Sequence, residues 1–367
     1  MKVGIVTLER YWMLRNYGTL LQCHALQTVL RRMGHEPVLV QRLHEREERH
    51  RWDLLWHALH FCAHPVSAWA ELRSLSRFRC FMREHITATE NCCKDEVLAM
   101  SPPAADAFIC GSDQVWSHCG EAAFLSFAPR GKRISYAPSA PWAECSDAWK
   151  AQAMEFLPGF AGVSVREDAG AELLGGLGIS ATVAADPVLL LRPEEYSELM
   201  PSARHRKPYM LVYTLNLSAL QDIYWDEAKQ YAAERHLDMV VVALQGAEKL
   251  FSTKALCSPA PGELLRLFAD AACVVTNSFH GSAFSLLFGK PFASIAQRGG
   301  TASQNPRFHT LLAHTGQQHR LLQAPDRLPE LLQQPCTEAA PALQAWREQS
   351  LQYLQTALQG AQSRIAQ

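Results

Sequence analysis

A chain of 367 residues that is 48% hydrophobic and 19% charged is long enough to bury two ordinary cores, and its net charge of −1 supplies no field to gather nucleic acid. Its 11 cysteines contain no C-x-x-C pair and include the adjacent Cys92 and Cys93, which fits neither a zinc ribbon nor a regular disulfide framework. A reducing cytosol and no bound metal or other cofactor are therefore expected. The opening residues Met1 to Thr7 lack the apolar core of a signal peptide, and no apolar run approaches the ~18 residues that suggest a spanning helix.

In chain order, strand-like Lys2 to Leu8 leads to a helix over Tyr17 to Met33, stopped by Gly34 and followed by strand-like Pro37 to Gln41. Residues 44 to 90 follow this βαβ unit and break its rhythm with a helical stretch rich in histidine, arginine and tryptophan. His57, His60 and His64 share one helical face, yet Pro65 ends that run and no carboxylate ligand follows. A partner or membrane-surface contact through residues 49–83 is the better expectation. Short buried strands are predicted at Ala107–Cys110, Arg133–Tyr136 and Gly162–Val165, with helices at Asp147–Phe156 and Ala169–Leu174 between and after them.

Around Asp186 a Pro-rich polar stretch reads as the connection between halves. A second alternation follows: strands Tyr209–Thr214, Met239–Leu244, Cys273–Thr276 and Pro291–Ile295, with helices Asp222–Arg235, Gly262–Ala271 and Ser282–Phe288. The pattern predicts an α/β protein with two Rossmann-like parallel sheets facing a cleft. The expected domains are 1–186, 187–339 and a C-terminal helix within 340–367, the first facing an acceptor and the second a donor. Ligands of such folds sit beyond the carboxyl ends of the strands.

Four strand exits carry polar residues. In "RNYGTLLQ", Asn16 and Gly18 can turn tightly and leave first-turn N–H groups free for an anion, or form an ordinary capped loop. "FICGSDQVWS" offers Ser112, Asp113, Gln114 and Trp116, a set suited to a sugar, with Asp113 able to act as a base; the alternative is a turn with Trp116 in the core. "SVRED" places Arg166 past a strand, to bind an anion or to bridge to Glu167 or Asp186. "TNSFHG" sets Asn277, Ser278, His280 and Gly281 at the start of a helix, where His280 can move a proton or hold a phosphate oxygen. Downstream, Arg298 and Arg307 flank a glycine pair and could close over an anion.

Together "NYGTLLQCHALQ", "FICGSDQVWS", "ISYAPSA", "SVRED", "DPVLLL", "TNSFHGSAFSLLFGKPF" and "NPRFHTLL" resemble, in this order, the polysaccharide pyruvyl transferase family. The resemblance spans about residues 1 to 320. It implies a glycosyltransferase-B-type architecture and transfer of a pyruvyl group from phosphoenolpyruvate to sugar hydroxyls, forming a ketal on a glycan or lipid-linked oligosaccharide. Many relatives carry Arg-Leu-His-Gly where this chain has Ser278-Phe279-His280-Gly281, so the histidine and glycine carry over and the arginine does not. Arg166, Arg298 or Arg307 would then supply a phosphate-binding cation. Two other functions compete: a nucleotide-sugar glycosyltransferase, which the absence of Asp or Glu between Gly281 and Pro291 disfavours, and a carbohydrate-binding protein without catalysis. On the main reading, truncating His280 or Arg166 lowers turnover at least ~100-fold with little loss of thermal stability.

Overall fold

The structure is a computed structural model that describes residues 1–8, 16–43, 65–90, 93–118, 120–142, 144–202, 205, 207–252 and 255–363. His57, His60 and His64, with Trp52 and Trp56, lie outside the described residues, as do residues 49–64 of the stretch proposed for a surface contact.

Its principal elements are β1 (Lys2–Val6), α1 (Tyr17–Arg32), β2 (Glu36–Leu39), α2 (Pro65–His85), β3 (Ala107–Cys110), β4 (Arg133–Ser135), β5 (Phe160–Gly162) and α3 (Asp168–Gly176). There follow β6 (Tyr209–Leu215), β7 (Asp238–Leu244), α4 (Pro261–Asp270), β8 (Cys273–Thr276), α5 (Phe279–Leu287), β9 (Phe292–Ile295), α6 (Pro306–His314), β10 (Leu321–Leu322) and α7 (Ala340–Ser363). One five-stranded sheet runs β2-β1-β3-β4-β5 and the other β7-β6-β8-β9-β10, and every pairing in both is parallel. Each sheet thus has the same order, reversing direction between its first and third strands, and a crevice opens at that reversal. Strands such as Ala107–Cys110 and Cys273–Thr276 are buried along their whole length because helices cover both faces, which is why they read as unbroken apolar runs.

Three sequence expectations change. The predicted strand Gly162–Val165 splits: Phe160–Gly162 closes the first sheet, while Ser164–Val165 pairs with Thr182–Val183. The stretch after Asp186 is no loose polar linker at its start, since Asp186 and Val188 through Leu191 are buried and Arg347 of α7 donates to the carbonyls of Leu189 and Leu191. Finally α7, expected as a separate tail, returns to the first half. Tyr353 donates to the Ser135 carbonyl, and Ala357 packs so closely on Gly162 that any side chain there would collide.

Helix α2 also joins the halves. Phe78 is fully buried against Tyr17 of α1, whose hydroxyl donates to the Pro259 carbonyl, while Arg77 reaches Ser258 and Glu263. The described side chains of this stretch therefore include several that pack inward. Among the described residues, no helix is long and apolar enough to cross a membrane.

Candidate functional site

The two crevices face each other, and the residues that leave their strands meet. In the first half, Asn16 caps α1 by accepting from the Thr19 N–H at 3.2 Å, and Gly18 sits in the first turn. The exit of β3 is braced from α1 and β1: Gln22 accepts from the Ser112 N–H at 3.1 Å, and Thr7 donates to the Ser112 carbonyl at 3.1 Å. Asp113 accepts a short hydrogen bond from the Thr19 hydroxyl.

In the second half, Ser278 caps α5, which consequently begins at Phe279 rather than at the expected Ser282. Asn277 accepts from the Thr214 hydroxyl at 2.9 Å and the Leu215 N–H at 3.0 Å, and donates to the Leu215 carbonyl at 2.8 Å. Its amide therefore ties the end of β6 to the end of β8, and this is a structural use of a residue expected to bind substrate. Gly281 is required for the same close packing: a Cβ there would lie 2.1 Å from the Thr276 hydroxyl oxygen.

His280 crosses to the first half. A Cβ built on Gly18 would lie 2.0 Å from Nδ1 and 2.4 Å from both Cγ and Cε1. Those distances place it over the ring face, so only glycine lets α1 approach the imidazole. On another side, Nε2 lies 3.6 Å from Oδ2 of Asp186. The same oxygen accepts from Nη1 of Arg166 at 2.6 Å, and Asp186 Oδ1 accepts from the Val188 N–H at 3.1 Å. Burial alone would raise the Asp186 pKa. His280, Arg166 and that N–H outweigh it and hold the carboxyl below the usual range.

Arg166 is buried between the halves, its guanidinium 4.1 Å from the ring centroid of Phe279. Its Nε donates to Glu167 at 3.1 Å, and Glu167 is held further by Ser139 and the Ala140 N–H. The third nitrogen, Nη2, is buried without a hydrogen-bond partner, 3.9 Å from Asp113. Burial opposes the charge of Arg166, but Glu167, Asp186 and Asp113 raise its pKa above the ordinary value. The bridges to Glu167 and Asp186 overturn the expectation that Arg166 can be removed with little loss of stability, because two buried carboxylates would lose their counter-ion.

Arg307, in the first turn of α6, completes the cluster. Burial and the neighbouring Arg166 push its pKa down to about 10, while Glu167 and Asp113 act the other way. Its Nε donates to the Gln304 carbonyl, and the Gln304 side chain accepts from Gln114 of the opposite half at 2.7 Å. Site residues thus gathered are Gly18, Ser112, Asp113, Arg166, His280 and Arg307, with Gln114 joining the halves through Gln304.

Two expected residues stand elsewhere. Trp116 stacks on Phe124 at 5.5 Å within a buried aromatic cluster and donates to the Ala123 carbonyl, so it fills the core instead of meeting a sugar. Arg298 pairs with Asp222 at 3.8 Å and donates to the Tyr224 hydroxyl at 3.1 Å, on an exposed rim. Sequence reasoning missed Thr19 and the full part played by Asp186; a buried acid immediately before a proline, after a strand, was the available signal for the second. Among the described residues, no group of three or more His, Cys, Asp or Glu side chains is placed to hold a metal.

Solved structures share this architecture. A protein from Listeria monocytogenes, assigned as a UDP-N-acetylglucosamine 2-epimerase, aligns over 96% of this chain and 90% of its own at 12% identity, with a TM-score of 0.51. The UDP-GlcNAc 2-epimerase of Neisseria meningitidis aligns over 96% of this chain and all of its own at 11% identity, TM-score 0.46. The fold is thus glycosyltransferase-B-like. The polysaccharide pyruvyl transferase family model matches residues 16–298, and the chain belongs to that family. No curated protein matches the sequence.

Proposed function

We propose that this chain moves the pyruvyl group of phosphoenolpyruvate onto hydroxyls of a sugar in a polysaccharide or lipid-linked precursor, releasing phosphate and leaving a cyclic ketal. The observation that carries this reading is the convergence of Arg166, Arg307 and His280 where the crevices of the two sheets meet, in a member of this family. Arg307 supplies the cation that the family's missing arginine at Ser278 would have given. Its terminal nitrogens make no hydrogen bond among the described residues.

In the first step a sugar hydroxyl oxygen bonds to C2 of the enol ester while C3 gains a proton from His280, and the hydroxyl proton restores the imidazole. In the second, the C2–O bond to phosphate breaks and a second hydroxyl takes its place, its proton leaving with the phosphate. Cations beside the departing phosphate stabilise the charge that develops on it. The cysteine usage fits a cytoplasmic enzyme with access to such a metabolite.

The test is incubation of the purified protein with phosphoenolpyruvate and a panel of glycans. Phosphate release together with a new ketal methyl signal by NMR is expected. Turnover of a UDP-sugar instead would assign the chain to glycosyl transfer, and glycan binding without either reaction would make it a carbohydrate-binding protein.

A further inference from the structure

His280 presents three different surroundings to its ring. One face lies on Gly18 of α1, which brings no titratable group. Nε2 is sealed from solvent, has no hydrogen-bond partner, and faces Asp186 Oδ2 at 3.6 Å. Nδ1 makes no hydrogen bond to a described residue, and Gly18 packs over it from the face and not along the plane in which it donates or accepts.

Asp186 Oδ2 has room for another donor. It takes the Arg166 Nη1–H at 2.6 Å, while the Ser112 hydroxyl stands 3.3 Å away. A hydroxyl has one proton, and that of Ser112 is directed to the Ala137 carbonyl at 2.6 Å, the shorter contact. The carboxylate oxygen therefore keeps acceptor capacity on the side where Nε2 lies. A bare Nε2 lone pair there would point at a buried negative charge, whereas Nε2–H meets it favourably. The remaining charged neighbours are Arg166, Glu167, Asp113 and Arg307. Arg166 lies behind Asp186, bonded to its Oδ2 and to Glu167; Asp113 is joined to Thr19, and Arg307 approaches from α6.

Resting on the reading of His280 as the proton donor, we infer that Asp186 is its positioning residue: the carboxylate fixes hydrogen on Nε2 and leaves Nδ1 as the nitrogen that exchanges protons with donor and acceptor. The proton given to C3 leaves Nδ1, and the hydroxyl proton returns there. Asp186 stays ionised throughout and stabilises the imidazolium that gives up the proton and that the returning hydroxyl proton restores. Serine hydrolases use a carboxylate in the same way to select a tautomer.

Long-range 1H–15N spectra of the intact protein labelled at histidine nitrogen test this, with the His280 signals assigned by their loss in His280→Gln. The expected neutral form carries hydrogen on Nε2 and a bare Nδ1. Asp186→Asn is expected to mix the tautomers, lower the pH at which the imidazolium forms, and move the matching limb of the kcat profile to lower pH with a loss of ~100-fold or more in kcat. Hydrogen on Nδ1 in the wild type, or a tautomer and pH limb unmoved by Asp186→Asn, would overturn the inference. The wild-type spectrum decides even if the variant does not fold. Because that spectrum needs no donor, it also separates the two claims: the expected tautomer without phosphoenolpyruvate turnover rejects the donor and leaves the positioning role standing.

Discussion

The two crevices are built alike and differ in what they project. Each lies where a parallel sheet of the same strand order reverses, and in each a buried polar side chain ties neighbouring strand exits together: Gln22 with Ser112 in the first half, Asn277 with Leu215 in the second. Past that brace, the first half offers a bare glycine, Gly18, and the second a histidine, His280, which packs onto it. The first half also contributes the Arg166 and Asp186 pair, so one side supplies space and a buried ion pair while the other supplies the imidazole. Identical topology thus leaves the chemistry to single residues at the strand exits.

This division can be broken most severely at the fixed charge. Arg166→Ala strips the counter-ion from Asp186 and Glu167 and is expected to destabilise the fold by about 3–5 kcal/mol, read by chemical denaturation, with turnover lost as well. His280→Ala removes no such counter-ion from Glu167. It should cost turnover at least ~100-fold with a much smaller loss of stability. A comparable loss of stability in the two variants would refute the distinction between the ion-paired side and the imidazole side.

The space is tested at Gly18. Alanine is the better helix former, so Gly18→Ala would stabilise α1 if the site were empty of steric demand. Against the imidazole it is instead expected to cost about 1–3 kcal/mol and to displace His280, with kcat falling about 100-fold. Unchanged kinetics would place His280 off Gly18 in solution. Asn277→Ala, by contrast, leaves the Leu215 N–H without its acceptor and should cost about 1–3 kcal/mol, with activity at permissive temperature reduced only as far as folding is.

A pH titration sharpens the picture on the charged side. The Asp186 pKa is lowered in the folded state, so the stability it contributes is present above the unfolded value near ~3.9 and is lost as pH falls toward the folded one. His24 of α1 adds a window at higher pH. Burial, ahead of the opposing His85 carbonyl bond, lowers its pKa to about 4. The unfolded chain binds that proton more readily, so stability should fall as pH drops from ~6.5 toward 4, by up to ~1.4 kcal/mol per unit. In His24→Gln that slope should flatten in denaturation curves collected across the window. The smallest effect is expected for Arg298→Ala, an exposed pair whose loss should change stability by no more than ~0.5 kcal/mol and leave kcat near wild type.

Much of the architecture is written locally. Apolar runs at Ala107–Cys110 and Cys273–Thr276, the cap at Asn16, and ordered motifs across residues 16–298 are properties of neighbouring residues, so two parallel sheets and the family follow from the sequence alone. What remained hidden were contacts between distant stretches: Trp116 entering an aromatic core, Arg298 turning to Tyr224, α7 returning to the first sheet, and Asp186 standing between Arg166 and His280. No periodicity encodes such meetings, because burial and the partners of a charge depend on how whole sheets pack. The sequence determined that an arginine and a histidine would stand at strand exits; the tertiary structure decided that one carboxylate oxygen of Asp186 would face them both.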